Sequence, residues 1–287
     1  MEGRSIVVTG ASSGIGRATV LRLAGRGYRV FAGVRKSEDG QALLRDAPSG
    51  LSPVILDVTK GESIAAAAAE IGRVTGGALH GLVDNAGITV AGPLELLPID
   101  ALRRQFEVNL FGQIAVTQAF LPQLREARGR IVLIGSILGK LSVPFVAPYA
   151  ATKFALEAVA DSLAIELSDS HVAVSLIEAG NIATPIWDKS KGLAFELAES
   201  WPEKGWELYR SQLSAFQAYA ERAAGTGIGP ERVAAVVERA LSARRPRSRY
   251  AVGWDARLLG RIAPLLPGRL RQRIVRRVVL SGRLLKS

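Results

Sequence analysis

The sequence predicts an α/β fold built on a doubly wound parallel sheet of about seven strands, with helices on both faces. Short β-rich runs alternate along the chain with longer segments of helical periodicity, which is the pattern of parallel strands joined by crossover helices. Most of these runs are apolar at consecutive positions, as expected of strands covered on both faces. The first run ends in a glycine-rich turn that leads into an amphipathic helix.

The elements follow one another without an internal repeat or a long linker. The predicted strands are 5–8, 29–33, 54–56, 81–83, 130–134, 172–177 and 250–252. The predicted helices are 15–25, 64–74, 99–125, 149–167 and 230–243. We therefore expect one domain over residues 1–245, followed by an extension, 246–287, that contributes the last strand.

Composition narrows the class of protein. Hydrophobic residues make up 48% of the 287 positions, which is ample for a substantial core. The lack of cysteine excludes disulfides and thiolate metal sites, and two histidines argue against an imidazole-rich centre, so we expect no metal. No apolar run reaches the roughly 18 to 20 residues of a membrane span, and no signal-peptide pattern is present. We expect a cytoplasmic protein.

The formal charge of +11 is concentrated in the C-terminal part of the chain. Residues 244–287 contain 13 basic residues and one acidic residue, a net charge of +12, which leaves −1 on the remainder. The body of the fold is therefore neutral. Without a basic stripe across that body, the charge does not indicate nucleic acid as a partner.

The turn after the first strand has the spacing Gly-x-x-x-Gly-x-Gly. Glycine permits a tight turn and lets the backbone approach a pyrophosphate, while N–H groups at the start of the next helix face the anion. A glycine-rich turn often marks only a change of chain direction, but its position between a strand and a helix favours dinucleotide binding. The expected binding residues are Gly10, Ser12, Ser13, Gly14, Ile15 and Gly16.

The end of the second strand bears on the choice of dinucleotide. An acidic residue there would bind the adenosine ribose hydroxyls and repel a 2′-phosphate, whereas basic residues admit it. Val34 is followed by Arg35 and Lys36, so NADP(H) is favoured and NAD(H) is the alternative. The same two basic residues also suit a solvated loop. Arg17, in the first helix, is a further candidate for this contact or for a solvent-facing position.

Polar and small residues follow the third and fourth strands. Asp57, with Val58 after it, can contact the adenine amino group or can cap the next helix, and the sequence leaves both interpretations open. After the fourth strand, Asn85, Ala86 and Gly87 form a small-residue turn able to lie beneath a ribose.

Two polar residues occur where the apolar pattern would not place them. Asn109 lies within a long amphipathic helix, where asparagine is unfavourable, and indicates either a kink held by water or a functional amide. Ser136 follows the fifth strand, so its hydroxyl is expected at the carboxyl edge of the sheet, where open α/β folds bind ligands.

Tyr149 and Lys153 are four residues apart on a predicted helix and project from one face. A phenol with a pKa near ~10 is a poor acid or base at neutral pH, and a nearby ammonium favours the phenolate. The pair therefore suits proton transfer. By chance alone the same spacing also occurs on solvated helix faces.

These motifs together resemble the short-chain dehydrogenase/reductase family over roughly residues 5–245, with closest likeness to its steroid and retinoid branch. The resemblance implies a Rossmann-type catalytic domain and hydride transfer between a nicotinamide cofactor and a carbonyl or alcohol. It implies that Tyr149 is the general acid/base, and that Lys153 lowers the pKa of Tyr149 and binds the nicotinamide ribose. It further implies that Ser136 hydrogen-bonds the substrate oxygen and that Asn109 holds a water linking Lys153 to solvent. Members are often dimers or tetramers, so a homodimer or homotetramer is expected.

The segment after the sixth strand departs from the family pattern, because Ala179 replaces the proline that usually precedes Gly180. The glycine and the threonine four residues later keep their spacing, so Ile182 and Thr184 are expected to contact the nicotinamide amide. Loss of the proline is expected to leave the turn less rigid.

Residues 184–229 hold seven of the 17 aromatic residues of the chain. This concentration predicts a helical lid over a hydrophobic substrate, with a packing cluster or a subunit contact as the alternatives. Trp187 from this segment, Val143, Ser136 and Tyr149 are the expected substrate contacts.

After residue 258 the extension combines apolar residues at helical spacing with arginines. Such a segment can lie on an anionic membrane, or its arginine stems can pack on the body or on another subunit.

The function predicted from the sequence is an NADP(H)-dependent oxidoreductase that acts on a lipophilic ketone or aldehyde, or on the matching alcohol. The alternatives are an NAD-dependent alcohol dehydrogenase of the same family, a nucleotide-binding sensor without turnover, and a scaffold at a lipid surface.

Overall fold

Seven parallel strands form one sheet in the computed structural model of the chain, which describes residues 3–47 and 49–280. The order across the sheet is β3-β2-β1-β4-β5-β6-β7. The strands are β1 Ser5–Val8, β2 Arg29–Val34, β3 Leu51–Ile55, β4 Gly81–Asp84, β5 Arg130–Ile134, β6 Ala173–Ala179 and β7 Arg249–Val252. This topology confirms the predicted fold class, and the strand order reverses between β1 and β4.

Strand limits differ from the prediction where burial is uneven. Edge strand β3 begins earlier than expected, at Leu51, and only Leu51 and Val54 of its five residues are buried. Strand β6 continues two residues past Ile177, the predicted end. The polar Glu178 hid this continuation, and its carboxylate pairs with Lys140 at 3.5 Å.

Helices cover both faces of the sheet. They are α1 Gly14–Ala24, α2 Ser37–Asp46, α3 Gly61–Thr75, α4 Ile99–Phe106, α5 Gly112–Glu126, α6 Ala147–Glu166, α7 Ile186–Ala198, α8 Glu203–Thr226, α9 Pro230–Ser242, α10 Trp254–Ile262 and α11 Gly268–Leu280. Helices α1, α2 and α9 bury one apolar core against the sheet, and α3, α5 and α6 bury the other. Because both faces are covered, the ends of the strands are where ligands have access.

Two helical segments were wrongly predicted. Helix α2 was missed because it is polar and short, with only Gly40 and Leu43 buried. The helix expected over 99–125 is interrupted by a π-helical turn, Glu107–Phe111, between α4 and α5. π-Helical turns inside α-helices often occur at functional sites, and this one contains Asn109.

The aromatic segment 184–229 folds into α7 and α8, and the C-terminal extension adds α10 and α11 after β7. Helix α11 packs against α8. The last part of the predicted extension, 281–287, lies outside the described residues. Among the helices that are described, none combines the length and the apolar character needed to cross a membrane.

Candidate active site

The glycine-rich turn between β1 and α1 leaves no room for a Cβ at Gly10 or Gly16. Gly10 has φ +63°, and a Cβ there would lie 2.8 Å from the Cα of Ala86. A Cβ on Gly16 would overlap the carbonyl oxygen of Gly10 and the side-chain amide of Asn85. The turn therefore lies directly on the turn that follows β4, with its backbone open on the other side.

Asn85 and Thr9 join these two turns. Asn85 Nδ2 donates to the carbonyl oxygens of Thr9 and Gly10 at 2.9 and 3.1 Å. Thr9 Oγ1 accepts from the N–H groups of Asn85 and Ala86 at 2.9 and 3.0 Å. This brace was not predicted. The feature of the sequence that could have indicated this brace is the hydroxyl residue Thr9, directly before the first glycine.

A cleft of about 1290 Å³, including its solvent-open mouth, lies at the carboxyl ends of β1 to β3. The structure brings half of the predicted cofactor residues around it, namely Gly10, Ser12, Ser13, Arg35, Asp57, Val58, Ala86 and Gly87. Arg103, Arg104 and Glu107 also line it, from α4 and the π-turn, and they were not predicted from the sequence. Nothing in the local sequence of α4 indicates that it faces the end of β2, which is about seventy positions away.

Asp57 does not cap a helix, so that interpretation was wrong. Its Oδ1 accepts from the backbone N–H of Thr59 at 3.0 Å and from the Thr59 hydroxyl at 2.8 Å, while α3 begins only at Gly61. Burial alone would raise the pKa of Asp57, but the two hydrogen bonds from Thr59 and the charges of Arg35 and Lys60 outweigh burial and lower the pKa. Asp57 is thus an ionised acceptor at the rim of the cleft.

Arg17 does not line this cleft. Its guanidinium pairs with Asp46 at 2.6 Å on the exposed surface of α1 and α2. Of the two positions that the sequence allowed for Arg17, the structure has the one on the surface.

A second cavity continues from the glycine-rich turn along the ends of β4, β5 and β6. Ser136, Tyr149 and Lys153 line it together. The predicted cofactor residues that share this cavity are Ser13, Gly14, Ile15, Asn85, Gly87, Ile182 and Thr184. Three of the four predicted catalytic residues therefore meet at one place, at the edge of the sheet where the sequence put Ser136.

Lys153 is 5% exposed and lies in this cavity. Its Nζ donates to the carbonyl oxygen of Ile134 at 2.7 Å and lies 5.6 Å from the centre of the Tyr149 ring. Burial lowers the pKa of Lys153 to about 8. The ammonium is thus held at the end of β5 by one carbonyl oxygen.

The pKa of Tyr149 differs from the expectation. Burial raises it to about 12, and the hydrogen bond with Ser136 offsets only part of that rise. The expected lowering by Lys153 is not seen, because the ammonium is directed to Ile134 rather than to the phenol oxygen. Ser136 Oγ accepts from the N–H of Leu138 at 3.1 Å, which leaves the hydroxyl hydrogen free to be donated.

Asn109 is fully buried and does not line the cavity. Its Oδ1 accepts from Ile88 N at 2.8 Å, and its Nδ2 donates to Ile88 O at 3.0 Å and to Thr152 Oγ1 at 3.5 Å. The Thr152 hydroxyl donates in turn to the carbonyl oxygen of Tyr149 at 2.7 Å. The amide therefore connects the π-turn to the helix that carries Tyr149.

An apolar chamber adjoins the cavity and shares Ser136, Gly180 and Trp187 with it. The predicted substrate residues Val143 and Trp187 both line this chamber. Its other walls are Ile137, Leu138, Val146, Asn181, Phe216, Tyr219, Ala220, Ala223, Ala224 and Asp255. Trp201 and Trp206 of the aromatic segment pack on each other instead, with ring centres 5.1 Å apart. Part of the segment therefore lines the chamber, and another part packs on itself.

Comparison with known proteins identifies the family of the chain. Residues 4–195 match the family model for short chain dehydrogenases. The chain is 36% identical to retinol dehydrogenase 5 of Homo sapiens over 92% of this chain and 85% of that protein. It is 34% identical to the NADPH-dependent 3-dehydrocapnine reductase of Ornithobacterium rhinotracheale over 94% of this chain and 95% of that one.

A solved structure of a short chain dehydrogenase from Burkholderia cenocepacia, in complex with NADP, superposes with a TM-score of 0.73 at 26% identity. The match covers 95% of this chain and 98% of that one. From its sequence, its fold and these relatives, the chain belongs to the short chain dehydrogenase family and is an oxidoreductase.

Proposed function

We propose that the protein transfers a hydride between NADP(H) and a lipophilic ketone or aldehyde, or the matching alcohol, with Tyr149 as general acid/base. The observation that carries this proposal is the meeting of Ser136, Tyr149 and Lys153 on a cavity that opens into an apolar chamber. The experiment is a panel of sterol, retinoid, fatty and small polar carbonyls assayed with NADPH. We expect turnover of the lipophilic members, and turnover of small polar sugars alone would overturn the proposal.

The residues present fit a dinucleotide. In the cradle formed by Gly10, Gly14 and Gly16, the lack of a Cβ at Gly10 and Gly16 lets the turn pack on the turn after β4, and Gly14 has φ +55° with Thr184 close by. Ser12, Ser13 and the start of α1 would hold the pyrophosphate, Asp57 and Val58 the adenine, and Asn85, Ala86 and Gly87 the ribose side. Ile182 and Thr184 would hold the nicotinamide amide. When bound, the nicotinamide supplies the hydride.

The chemistry of this chain lies in placing hydrogen-bond donors where charge develops. Addition of hydride to a carbonyl carbon leaves negative charge on its oxygen, which Ser136 and Tyr149 would stabilise by donating hydrogen bonds. Tyr149 then gives its proton to that oxygen to complete the alcohol. Lys153, held near the ring, would bind the ribose and stabilise the phenolate that results. Asn109 would hold a water on the path by which Lys153 exchanges its proton.

The proposed preference for NADP(H) rests on the charged side chains of the cleft at the ends of β1 to β3, where the adenosine half of the cofactor would bind. Arg35, Arg103 and Arg104 line the cleft against the two carboxylates Asp57 and Glu107, so a 2′-phosphate would meet net positive charge. The name of the 3-dehydrocapnine reductase and the NADP in the Burkholderia structure point the same way. An NAD-dependent alcohol dehydrogenase is the alternative, and it requires higher kcat/KM with NADH than with NADPH.

The lipophilic substrate is inferred from the chamber next to Ser136. Phe216 packs edge-on against Phe145 with ring centres 5.4 Å apart, and both α8 and the loop before α6 contribute apolar wall. Helices α7 and α8 would act as the lid. A sensor that binds the nucleotide without turnover is the alternative of another class. It predicts tight NADPH binding together with no oxidation of NADPH on any member of the panel.

We further propose a cytoplasmic enzyme that associates peripherally with anionic membranes through its C-terminal helices. Trp254, Leu258 and Ile262 recur on one exposed face of α10, with Trp254 73% exposed and Leu265 82% exposed just beyond. Arginines accompany these side chains along α10 and α11, and each basic residue near an anionic surface contributes about 1 kcal/mol. Sedimentation with liposomes of anionic and of neutral lipid tests this. Equal binding of the protein to both kinds of liposome, or binding to neither, would remove the proposal. Binding to anionic liposomes by a protein that shows no enzymatic activity would favour the scaffold alternative.

The proposed oligomer is a homodimer or homotetramer. Exposed apolar side chains lie at the end of the π-turn and along α6, among them Phe111, Phe154 and Ile165. Such a surface suits contact with a second copy of the chain. Analytical ultracentrifugation measures the mass directly, and a monomer at micromolar concentration contradicts this part of the proposal.

A further inference from the structure

The turn after β6 follows Ala179, the residue that replaces the family proline. Segments that come later in the chain hold the backbone of this turn at successive positions. Gly180 N donates to Val252 O at 2.9 Å, at the end of β7. Asn181 O accepts from Ile228 N at 3.0 Å, and Ala183 N donates to Ile228 O at 2.9 Å. These bonds fix the backbone that leads to Ile182 and Thr184, both of which line the cavity.

The carboxylate of Asp255 also holds this turn. Its Oδ2 accepts from Asn181 N at 2.6 Å, across 74 positions of the chain. A Cβ on Gly180 would overlap the same carboxylate, so the turn and the acid are in direct contact. Asp255 lies in the first turn of α10, whose N-cap residue is Gly253. Its Oδ2 atom therefore links the start of α10 to the turn after β6.

The lid helix α8 meets the turn at the same point. Asn181 Nδ2 donates to the carbonyl oxygen of Ala223. Burial, and then the charge of Asp255, raise the pKa of Tyr219, which lies on the same helix one turn before Ala223. Asp255, Asn181 and Tyr219 all line the apolar chamber. One carboxylate from the C-terminal extension therefore lies between the turn, the lid and the space proposed for substrate.

We propose that Asp255 is a positioning residue for the nicotinamide end of the site. Its hydrogen bond to the Asn181 N–H holds Ile182 and Thr184 in position. It thereby gives this turn the rigidity that the proline gives it in the family pattern. This inference rests on the proposed function, because it requires a nicotinamide at this cavity. It also makes α10 a part of the active site, where the sequence indicated only a basic extension.

The test compares ligands that fill the whole site or only its adenosine end. NADPH spans both ends, whereas 2′,5′-ADP lacks the nicotinamide half. Calorimetry gives the Kd of each ligand for the unaltered chain, Asp255→Ala, Asp255→Asn and the double variant Ala179→Pro with Asp255→Ala. An asparagine side chain still offers an oxygen acceptor to Asn181 N.

We expect Asp255→Ala to weaken NADPH binding about tenfold, the effect of losing one charge-assisted hydrogen bond, and to leave the Kd of 2′,5′-ADP unchanged. Asp255→Asn should bind NADPH within about threefold of the unaltered chain, and adding Ala179→Pro to Asp255→Ala should recover most of the loss. Retained 2′,5′-ADP binding shows that each variant is folded. Should Asp255→Ala not fold, Asp255→Leu, which has no acceptor and keeps the side-chain volume, takes its place in the same comparison.

Three results would overturn the proposal. They are unchanged NADPH binding by Asp255→Ala, equal losses for NADPH and 2′,5′-ADP, and a loss in Asp255→Asn as large as in Asp255→Ala. Failure of the proposed function is seen separately, in the unaltered chain. If that chain prefers NADH, the comparison is made with NADH and ADP, and if it binds no nicotinamide nucleotide, both proposals fall.

Discussion

Lys153 Nζ donates to the carbonyl oxygen of Ile134 at 2.7 Å, across 19 positions of the chain. This bond holds the ammonium at the carboxyl end of β5, beside Ser136, and 5.6 Å from the centre of the Tyr149 ring. Helical spacing explains why lysine and tyrosine share a face of α6. The end of β5 determines where the ammonium lies. A ribose hydroxyl bound beside it would accept a second hydrogen bond from Lys153 Nζ, in addition to the carbonyl oxygen of Ile134.

Replacing Tyr149 with phenylalanine removes the proposed proton donor and keeps the ring. We expect kcat for carbonyl reduction to fall at least about 100-fold, the lower range for loss of a general acid, with the Kd of NADPH within about twofold. Tyr209→Phe is the matched control, because its hydroxyl bonds Glu95 at 2.7 Å outside the cavity. Similar rates for both variants would remove Tyr149 from the mechanism.

The buried ammonium should be visible in stability as a function of pH. The pKa of Lys153 falls from 10.5 to about 8 on folding, so in this window the unfolded chain binds a proton that the folded chain has released. Raising the pH through the window therefore stabilises the unaltered protein relative to Lys153→Met. Urea unfolding near pH 7 and near pH 9.5 measures this difference. A difference in free energy of unfolding that does not change with pH would contradict the burial of the charge.

Arg35→Ala should separate the two cofactors. Loss of a guanidinium contact to the 2′-phosphate is expected to raise the KM for NADPH about tenfold or more and to leave the KM for NADH within about twofold. Arg45→Ala is the control, since it removes the same charge from an exposed position on α2 that does not line the cleft. An equal effect on NADPH and NADH would mean that Arg35 does not contact the phosphate.

Asn109→Leu tests the brace between the π-turn and Ile88. The variant leaves the part-buried N–H of Ile88 without a partner, whereas the carbonyl oxygen of Ile88 keeps its bond from Gln105 Nε2 at 2.9 Å, so we expect a loss of about 1 to 3 kcal/mol in the free energy of unfolding. Gln118→Leu, at an exposed position of α5, should change it by less than about 0.5 kcal/mol. Denaturant titration of both variants decides, and equal stabilities would show that the amide is dispensable for folding.

A feature could be predicted from the sequence when the residues that cause it are neighbours in the chain. Strand β1 and the turn from Gly10 to Gly16 could be predicted from adjacent residues. Consecutive apolar residues indicate a strand buried on both faces, and closely spaced glycines indicate positions without room for a Cβ. Glu178 and α2 were misread for the same reason, because polar residues at a sheet end or on a short helix look like loop until their partners are known.

By itself, the sequence determined the order of the elements, the glycine cradle and the pairing of Tyr149 with Lys153 on one helix face. Only the tertiary structure decided that Lys153 bonds Ile134, that burial raises the pKa of Tyr149 to about 12, and that Asp255 reaches Asn181. Periodicity and turn chemistry depend on neighbours in the chain. Desolvation and hydrogen-bond partners depend on residues that become neighbours only when the chain folds, and no local pattern records them.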